Sequence, residues 1–207
     1  MILAGIANEK KRRERFHAFA QAHGFRYSPD KDRGFDEQFS HFPGIRSGSN
    51  RYFRHRFQGR TDDTEFVGGE YHYQITTSNG KSSSTRHYFF TLVLFQLPQF
   101  LGEVSIREEG VFDRMKAAFG WDDIDFASSA FSERFYVSAP NRNVAFELIQ
   151  PRTMDLLMSH HKFEIYLKGR WLLLRRKGKF RFTDLVELKG LGEKFLSEIP
   201  DFVRERG

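Results

Sequence analysis

The chain has 207 residues, a mean hydropathy of −0.58 and no cysteine. A chain of this length can bury a substantial core, and the lack of cysteine excludes disulfides, cysteine-ligated zinc, iron–sulfur clusters and thiol nucleophiles. The 24 phenylalanines predict a core built mainly on aromatic rings.

The net charge of +6 is distributed unevenly. Residues 1–60 carry a net charge of +7, residues 61–161 carry −6, residues 162–194 carry +6 and the last 13 residues carry −1. Two basic segments therefore flank an acidic middle. A basic pole attracts anionic partners such as lipid headgroups or nucleic acid. A solvated basic surface without any partner is the alternative interpretation.

Residues 8–23 predict a helix, because Asn8 can cap its start and Gly24 can end it. An apolar stretch at residues 2–7 precedes a basic cluster, as at the cytoplasmic end of a membrane helix. We therefore predict a hydrophobic helix upstream in the native gene or in its relatives; the alternative is a plain amphipathic start. No segment of the sequence is long and apolar enough to span a bilayer. The basic side chains of this cluster are Lys10, Lys11, Arg12, Arg13 and Arg15.

The next segment predicts a short strand at residues 25–28 and irregular structure over residues 30–50. Turn signals such as Pro43-Gly44 favour the irregular structure. Its expected anchors in the core are Phe35, Phe39 and Phe42.

An antiparallel sheet is predicted for about residues 50–107. Residues 51–57 alternate in polarity, which places Phe53, His55 and Phe57 on one face of a strand.

A long hairpin follows within this sheet, with strands at residues 64–76 and 86–97 joined through Asn79-Gly80. Gly68-Gly69 indicates a bulge or bend in the first of these strands. Residues 89–95 are apolar on both faces, so we expect the second strand to lie inside the sheet.

The rest of the chain predicts a β-α-β-β-α unit over residues 121–200 with a C-terminal helix, which makes the whole an α+β fold. We expect a basic N-terminal helix at 1–24 and a single α+β domain at 25–207; a subdivision near 108–121 stays open. The predicted strands are 104–107, 122–126, 134–138, 163–167 and 171–175. The predicted helices are 111–119, 144–149 and 151–159, the last with Pro151 in its first position. A final helix is predicted from a cap at Thr183 to about residue 198. A break in it at 190–192 is an open alternative.

Several packing motifs carry a resemblance to known proteins: His23-Gly24-Phe25-Arg-Tyr27, Phe39-x-x-Phe42-Pro43, Tyr71-x-Tyr73 and, above all, residues 124–158. Their order resembles an uncharacterised bacterial family of membrane-tethered domains of unknown function. The resemblance implies a fold and a cytoplasmic location, at the inner face of the membrane. It supplies no catalytic residue.

Metal binding has weak support in the sequence. His72 and His87 lie on strands that we expect to be neighbours, and with His55 they are a conceivable zinc site. Asp123 and Asp125 would project from the same face of a strand and offer oxygen ligands to a hard cation. Scattered histidines and a solvent-facing strand edge are the simpler interpretations. We predict no metal and no cofactor, and the sequence identifies no small-molecule substrate.

Nucleic-acid binding is the main alternative function. Residues 168–181 interleave basic and aromatic side chains on a predicted hairpin, which can grip phosphates and stack bases. No named nucleic-acid motif is matched, and the same hairpin can instead lie on an anionic membrane beside residues 10–15.

The sequence contains no catalytic motif: it has no Gly-x-Ser-x-Gly elbow and no phosphate-binding loop. We therefore predict a non-enzymatic binding or scaffold domain at the membrane surface or on a membrane protein. A nucleic-acid-binding module is the first alternative and a metal-dependent enzyme is the second. The predicted residues for binding an anionic surface are Lys10, Lys11, Arg12, Arg13, Arg15, Arg175, Arg176 and Lys177.

Overall fold

A computed structural model describes residues 2–61, 64–108 and 123–205. The predicted helix at 111–119 and Asp122 lie outside the described residues, as does most of the segment where a subdivision stayed open. The strands are β1 (Arg26–Ser28), β2 (Ser49–Thr61), β3 (Thr64–Ser78), β4 (Ser83–Gln96), β5 (Val104–Glu108), β6 (Phe135–Ser138), β7 (Glu164–Lys168) and β8 (Trp171–Lys177). The helices are α1 (Ile2–Ala22), α2 (Phe35–Gln38), α3 (Ser129–Arg134), α4 (Arg142–Leu148), α5 (Pro151–Met158), α6 (Phe182–Ser197) and α7 (Asp201–Arg204).

The described strands form one antiparallel sheet with the order β1-β2-β3-β4-β8-β7-β5-β6, so the α+β class is confirmed. β4 lies inside the sheet, as its apolar run predicts, and its residues 92–95 are all 0% exposed. The predicted hairpin forms, with Gly80 at a φ of +82° between β3 and β4. The β7–β8 hairpin inserts between β4 and β5, so the strands of the two predicted units share a single sheet.

Successive side chains of β4 belong to two hydrophobic clusters, one on each face of the sheet. Val93 and Phe95 point into the cluster that α1 and α6 cover. Leu92 and Leu94 point into the cluster that the segment between β1 and β2 covers. The predicted aromatic anchors of that segment are buried: Phe35, Phe39 and Phe42 are 2–3% exposed.

The β2 strand carries a bulge that corrects one of the sequence predictions. Arg54 pairs with Glu70 and Phe57 pairs with Gly68, so two residues of β2 face one residue of β3. His55 adopts a φ of +52° at this point. The extra residue shifts the alternation of side chains between the two faces of the sheet. Phe53 stacks on Phe35 on one face, whereas His55 and Phe57 pack against α1 on the other.

The last long helix, α6, runs without the break that residues 190–192 suggested. A Cβ atom on Gly192 would lie 2.3 Å from Cε2 of Phe95 and 2.9 Å from Cδ1 of Leu174. The glycine therefore allows the helix to approach β4 and β8 closely, and it marks packing rather than a helix end. The N-cap is Arg181 and not Thr183.

The predicted strand at 122–126 is also wrong for its described part, because residues 123–126 form no strand. The amide of Ile124 donates to the carbonyl of Val137 in β6 at 2.8 Å. The carboxylate of Asp123 accepts from the amides of Ile124 and Val137 at 3.0 Å each. These side-chain hydrogen bonds hold the segment against β6 in place of the regular backbone pairing of a strand. Among the described helices, none has the length and apolar character needed to cross a membrane.

Candidate anion-binding groove

The fold brings the two basic segments of the sequence together. Phe16 of α1 is 6% exposed, and its ring lies 5.3 Å from that of Phe180 and 4.7 Å from that of Phe182. This aromatic contact docks α1 onto the segment between β8 and α6. The basic side chains of both segments therefore flank the same surface.

A groove of about 510 Å³ runs between these two segments. Aromatic rings and the aliphatic stems of basic side chains form its walls, and the charged ends of those side chains form its rim. The lining residues are Arg12, Arg15, Phe16, Lys179, Phe180, Arg181, Phe182 and Thr183. We refer to this feature as the α1 groove.

A buried carboxylate holds one side of the α1 groove in place. Glu70 of β3 is 1% exposed and accepts from Nε of Arg54 at 2.6 Å and from the amide of Phe180 at 3.1 Å. Its other partner is Arg12, whose Nη2 lies 3.6 Å from Oε2 of Glu70. Glu70 thus joins β2, β3, α1 and the segment before α6, and it gives Arg12 a charged partner at the edge of the groove.

A second buried carboxylate, Asp184, holds the next residue of the same wall, Arg181. Asp184 is 4% exposed and accepts from Arg181 at 2.9 Å and from Arg176 at 2.8 Å. Burial by itself would raise the pKa of Asp184, but the hydrogen bonds from Arg181 and Arg176 outweigh it and hold the pKa below its usual value. Arg181 therefore stands at the rim already paired.

The cations that remain available are Arg15 and Lys179. Both are exposed, and neither makes a hydrogen bond or ion pair within the described parts of the chain. Lys11 is exposed and lies four residues before Arg15, so the two occupy the same face of α1. Arg15 and Lys179 are thus the unneutralised cations of the rim, and Lys11 extends the same basic surface along α1.

Most of the residues predicted to bind an anionic surface are exposed. Lys10, Lys11, Arg13 and Arg15 are exposed on α1, although Arg13 lies 3.5 Å from Glu9. Lys177 is exposed at the end of β8.

Arg175 is a correction to that predicted set, because its side chain is buried and only 4% exposed. It donates to Glu164 at 2.6 Å and to the carbonyl of Pro43 at 2.6 Å, between the rings of Phe90 and Tyr166. Burial alone would lower the pKa of Arg175, but the Glu164 carboxylate more than compensates and the pKa is raised. This guanidinium holds the sheet and its loop together and cannot reach an anionic surface.

Arg176 is also engaged, since its side chain is 12% exposed and donates to Asp184 at 2.8 Å and to Glu187 at 2.5 Å. Both strands of the 168–181 hairpin are interior: β7 pairs with β5 and β8 pairs with β4. The β7–β8 hairpin forms as predicted, with neither of its strands at an edge of the described sheet. Lys179 and Arg181, beyond the end of β8, are the members of that basic run that reach the groove.

The histidines form a pair rather than a three-residue site. Nε2 of His72 lies 3.0 Å from Nδ1 of His87, and Nδ1 of His72 lies 3.1 Å from the carbonyl of Asn50. His55 lies elsewhere, 4.7 Å from the ring of Phe16 and hydrogen-bonded to Tyr27. Across the described residues, no group of three or more histidine, aspartate or glutamate side chains could hold a metal ion.

His55 is the most strongly perturbed histidine near the groove. It is 1% exposed, and burial followed by the charges of Arg12, Arg54 and Arg13 lowers its pKa to about 3. Its Nδ1 atom lies 2.8 Å from the hydroxyl of Tyr27, and its Nε2 atom has no hydrogen-bond partner among the described residues. It is therefore neutral beneath α1 at any physiological pH.

The fold and the groove together define an α+β domain with a basic, partly aromatic surface site. No protein-family model and no curated protein matches this chain. Among solved structures, the crystal structure of the mycobacterial trehalose monomycolate transport factor A has a similar fold, with a TM-score of 0.61 and 12% sequence identity over 88% of this chain and 90% of that one. At this identity the likeness shows a shared fold alone.

Proposed function

We propose that this protein is a non-enzymatic domain of the cytoplasmic face of the membrane, which binds an anionic membrane surface through the rim of the α1 groove. The observation that carries the proposal is the convergence of Lys11, Arg15 and Lys179 on one surface without neutralising partners among the described residues.

The strength of such a contact follows from the number of free cations. Each lysine or arginine near an anionic leaflet contributes about 1 kcal/mol, so Lys11, Arg15 and Lys179 together contribute about 3 kcal/mol. This is a weak and reversible attraction that salt screens over about 8 Å at physiological ionic strength. It suits a domain that adds to a separate anchor, because stable membrane attachment usually needs two signals.

Co-sedimentation with vesicles tests the proposal directly. The wild-type chain is mixed at low and high salt with vesicles of phosphatidylglycerol and phosphatidylcholine, and with vesicles of phosphatidylcholine alone. We expect binding to the anionic vesicles only, and its loss at high salt. The variant Lys11→Gln/Arg15→Gln/Lys179→Gln should bind about 100-fold more weakly, since every 1.4 kcal/mol corresponds to a factor of ten.

The matched control removes three exposed cations from elsewhere on the surface: Lys81→Gln, Arg142→Gln and Arg152→Gln. It changes the net charge equally and should keep most of the binding, because distant charges are screened. Equal weakening of both variants would attribute binding to net charge and refute the groove. Single- and double-stranded DNA that displaced the protein from anionic vesicles would favour the nucleic-acid alternative instead.

A further inference from the structure

The α1 groove has an aromatic wall that attraction to a charged surface does not require. Phe182 is half-buried and its ring stacks on that of Phe19 at 4.3 Å, while Phe16 and Phe180 close the groove behind it. Together these rings extend an apolar path along α1. A groove of about 510 Å³ lies in the range of small-molecule sites, which are mostly apolar with a few polar groups that fix orientation.

Some of the cations that line the groove are paired with carboxylates and others are not. Glu70 and Asp184 already pair with Arg12 and Arg181, so these two arginines contribute mainly their aliphatic stems. Arg15 and Lys179 remain as the two unpaired cations that line the groove. A phosphate monoester carries a charge of about −1.5 to −2 at pH 7, which two cations match.

We propose that the α1 groove holds one molecule of an anionic amphiphile with a phosphate monoester headgroup. The guanidinium of Arg15 offers a planar fork for two phosphate oxygens, and Lys179 supplies a point charge from the opposite wall. The hydrocarbon chain lies against Phe182 and the arginine stems. This inference deepens the proposed function and rests on it, because the amphiphile is a lipid taken from the surface to which the domain binds.

Calorimetric titration of the full chain with dodecyl phosphate, kept monomeric below its critical micelle concentration, tests the inference. We expect saturation at one molecule per chain. Inorganic phosphate tests the headgroup alone and dodecyl maltoside tests the chain alone, and each should bind at least tenfold more weakly. Equal affinity for inorganic phosphate and dodecyl phosphate would overturn the inference, as would binding without a one-to-one saturation point.

Two substitutions distinguish binding of dodecyl phosphate in the groove from non-specific adsorption to the protein. Thr183→Trp places a large ring in the groove at an exposed position of α6, and it should abolish the binding of dodecyl phosphate. Thr77→Trp, at an exposed position of the β3–β4 hairpin, adds the same ring elsewhere and should bind as the wild type does. Circular dichroism confirms that both variants are folded. If Thr183→Trp bound dodecyl phosphate with wild-type affinity, the inference would be wrong.

The two proposals can fail separately because the amphiphile is tested without a membrane. Sedimentation of the wild type with anionic vesicles, without one-to-one binding of dodecyl phosphate, would overturn the amphiphile site and leave the surface proposal standing. One-to-one binding without sedimentation would support the site and refute membrane-surface binding.

Discussion

Replacement of Glu70 should destabilise the fold and strengthen anion binding at the same time. This carboxylate is 1% exposed and bonds Arg54 at 2.6 Å and the amide of Phe180 at 3.1 Å, with Arg12 at 3.6 Å. Removing one partner of a buried ion pair costs about 3–5 kcal/mol, because the remaining charge stays buried and unpaired. The side chains of Arg54 and Arg12 are 20% and 33% exposed, so water can partly solvate them.

We therefore expect a loss at the lower end, about 3 kcal/mol for Glu70→Ala, which lowers Tm by about 6–12 °C in a chain of this size. Glu70→Gln keeps the volume and one carbonyl acceptor, and should cost about 2 kcal/mol. Urea and thermal denaturation measure both losses. Glu187→Gln is the control, since this carboxylate is 54% exposed and its pairing with Arg176 should contribute less than about 1 kcal/mol.

The second readout is binding to anionic vesicles. Glu70→Gln releases Arg12 from its carboxylate, adding one free cation to the α1 groove and about 1 kcal/mol to vesicle binding, or about fivefold in affinity. A purely structural role would predict weaker binding as the groove loosens. A loss of less than about 1 kcal/mol for Glu70→Ala, or weaker vesicle binding by a folded Glu70→Gln variant, would refute this account.

Three further predictions concern packing, pH and the buried arginine. Gly192→Ala should cost about 1–3 kcal/mol in urea unfolding, because the new Cβ would lie 2.3 Å from a ring carbon of β4. Gly190→Ala has nothing within 4 Å of its Cβ and should instead stabilise α6 by about 0.5–1 kcal/mol. His55 has a folded-state pKa of about 3, below its unfolded value near 6.5, so its contribution to stability is complete above about pH 6.5 and declines as the pH falls towards 3. Asparagine tolerates the positive φ at this position. Between pH 7 and pH 4.5 the free energy of unfolding should therefore fall less for His55→Asn than for the wild type. Arg175→Ala should lower the free energy of unfolding in urea by about 3–5 kcal/mol, because it leaves the Glu164 carboxylate buried without its cation. A loss below about 1 kcal/mol would contradict a buried ion pair.

Local patterns predicted most elements of this fold because those elements depend on short-range signals. The turn at Asn79-Gly80, the helix that starts at Pro151 and the apolar run of β4 are each determined by a few adjacent residues. The bulge at His55 was missed, since alternation in a sequence looks the same whether or not one residue is inserted opposite Gly69. Gly192 was misinterpreted for a related reason: its close approach to the sheet depends on a strand far away in the sequence.

The candidate site could be predicted only in part, because charge alone does not reveal which cations have partners. Lys11 and Arg15 lie in the basic cluster that the sequence singled out. Arg175 lies in an equally basic run, yet Glu164 on the adjacent strand neutralises it, and that pairing depends on the register of β7 and β8. A clue was present in the apolar residues before Arg175, since a strand that is apolar on both faces lies inside a sheet, where a buried charge needs a partner.

The same comparison explains how one basic chain can use its charge for two purposes. Arginines that meet a buried carboxylate, as Arg54 and Arg175 do, join elements of the fold and are lost to any partner. Lys179 meets none among the described residues and stays free, as a compact and well-hydrated ammonium can at little cost. Arg12 stands between the two groups, because it touches Glu70 at 3.6 Å while lining the groove. We therefore expect that an anion bound as proposed would compete with Glu70 for this guanidinium, which would link the affinity of the groove to the packing of α1 on the sheet.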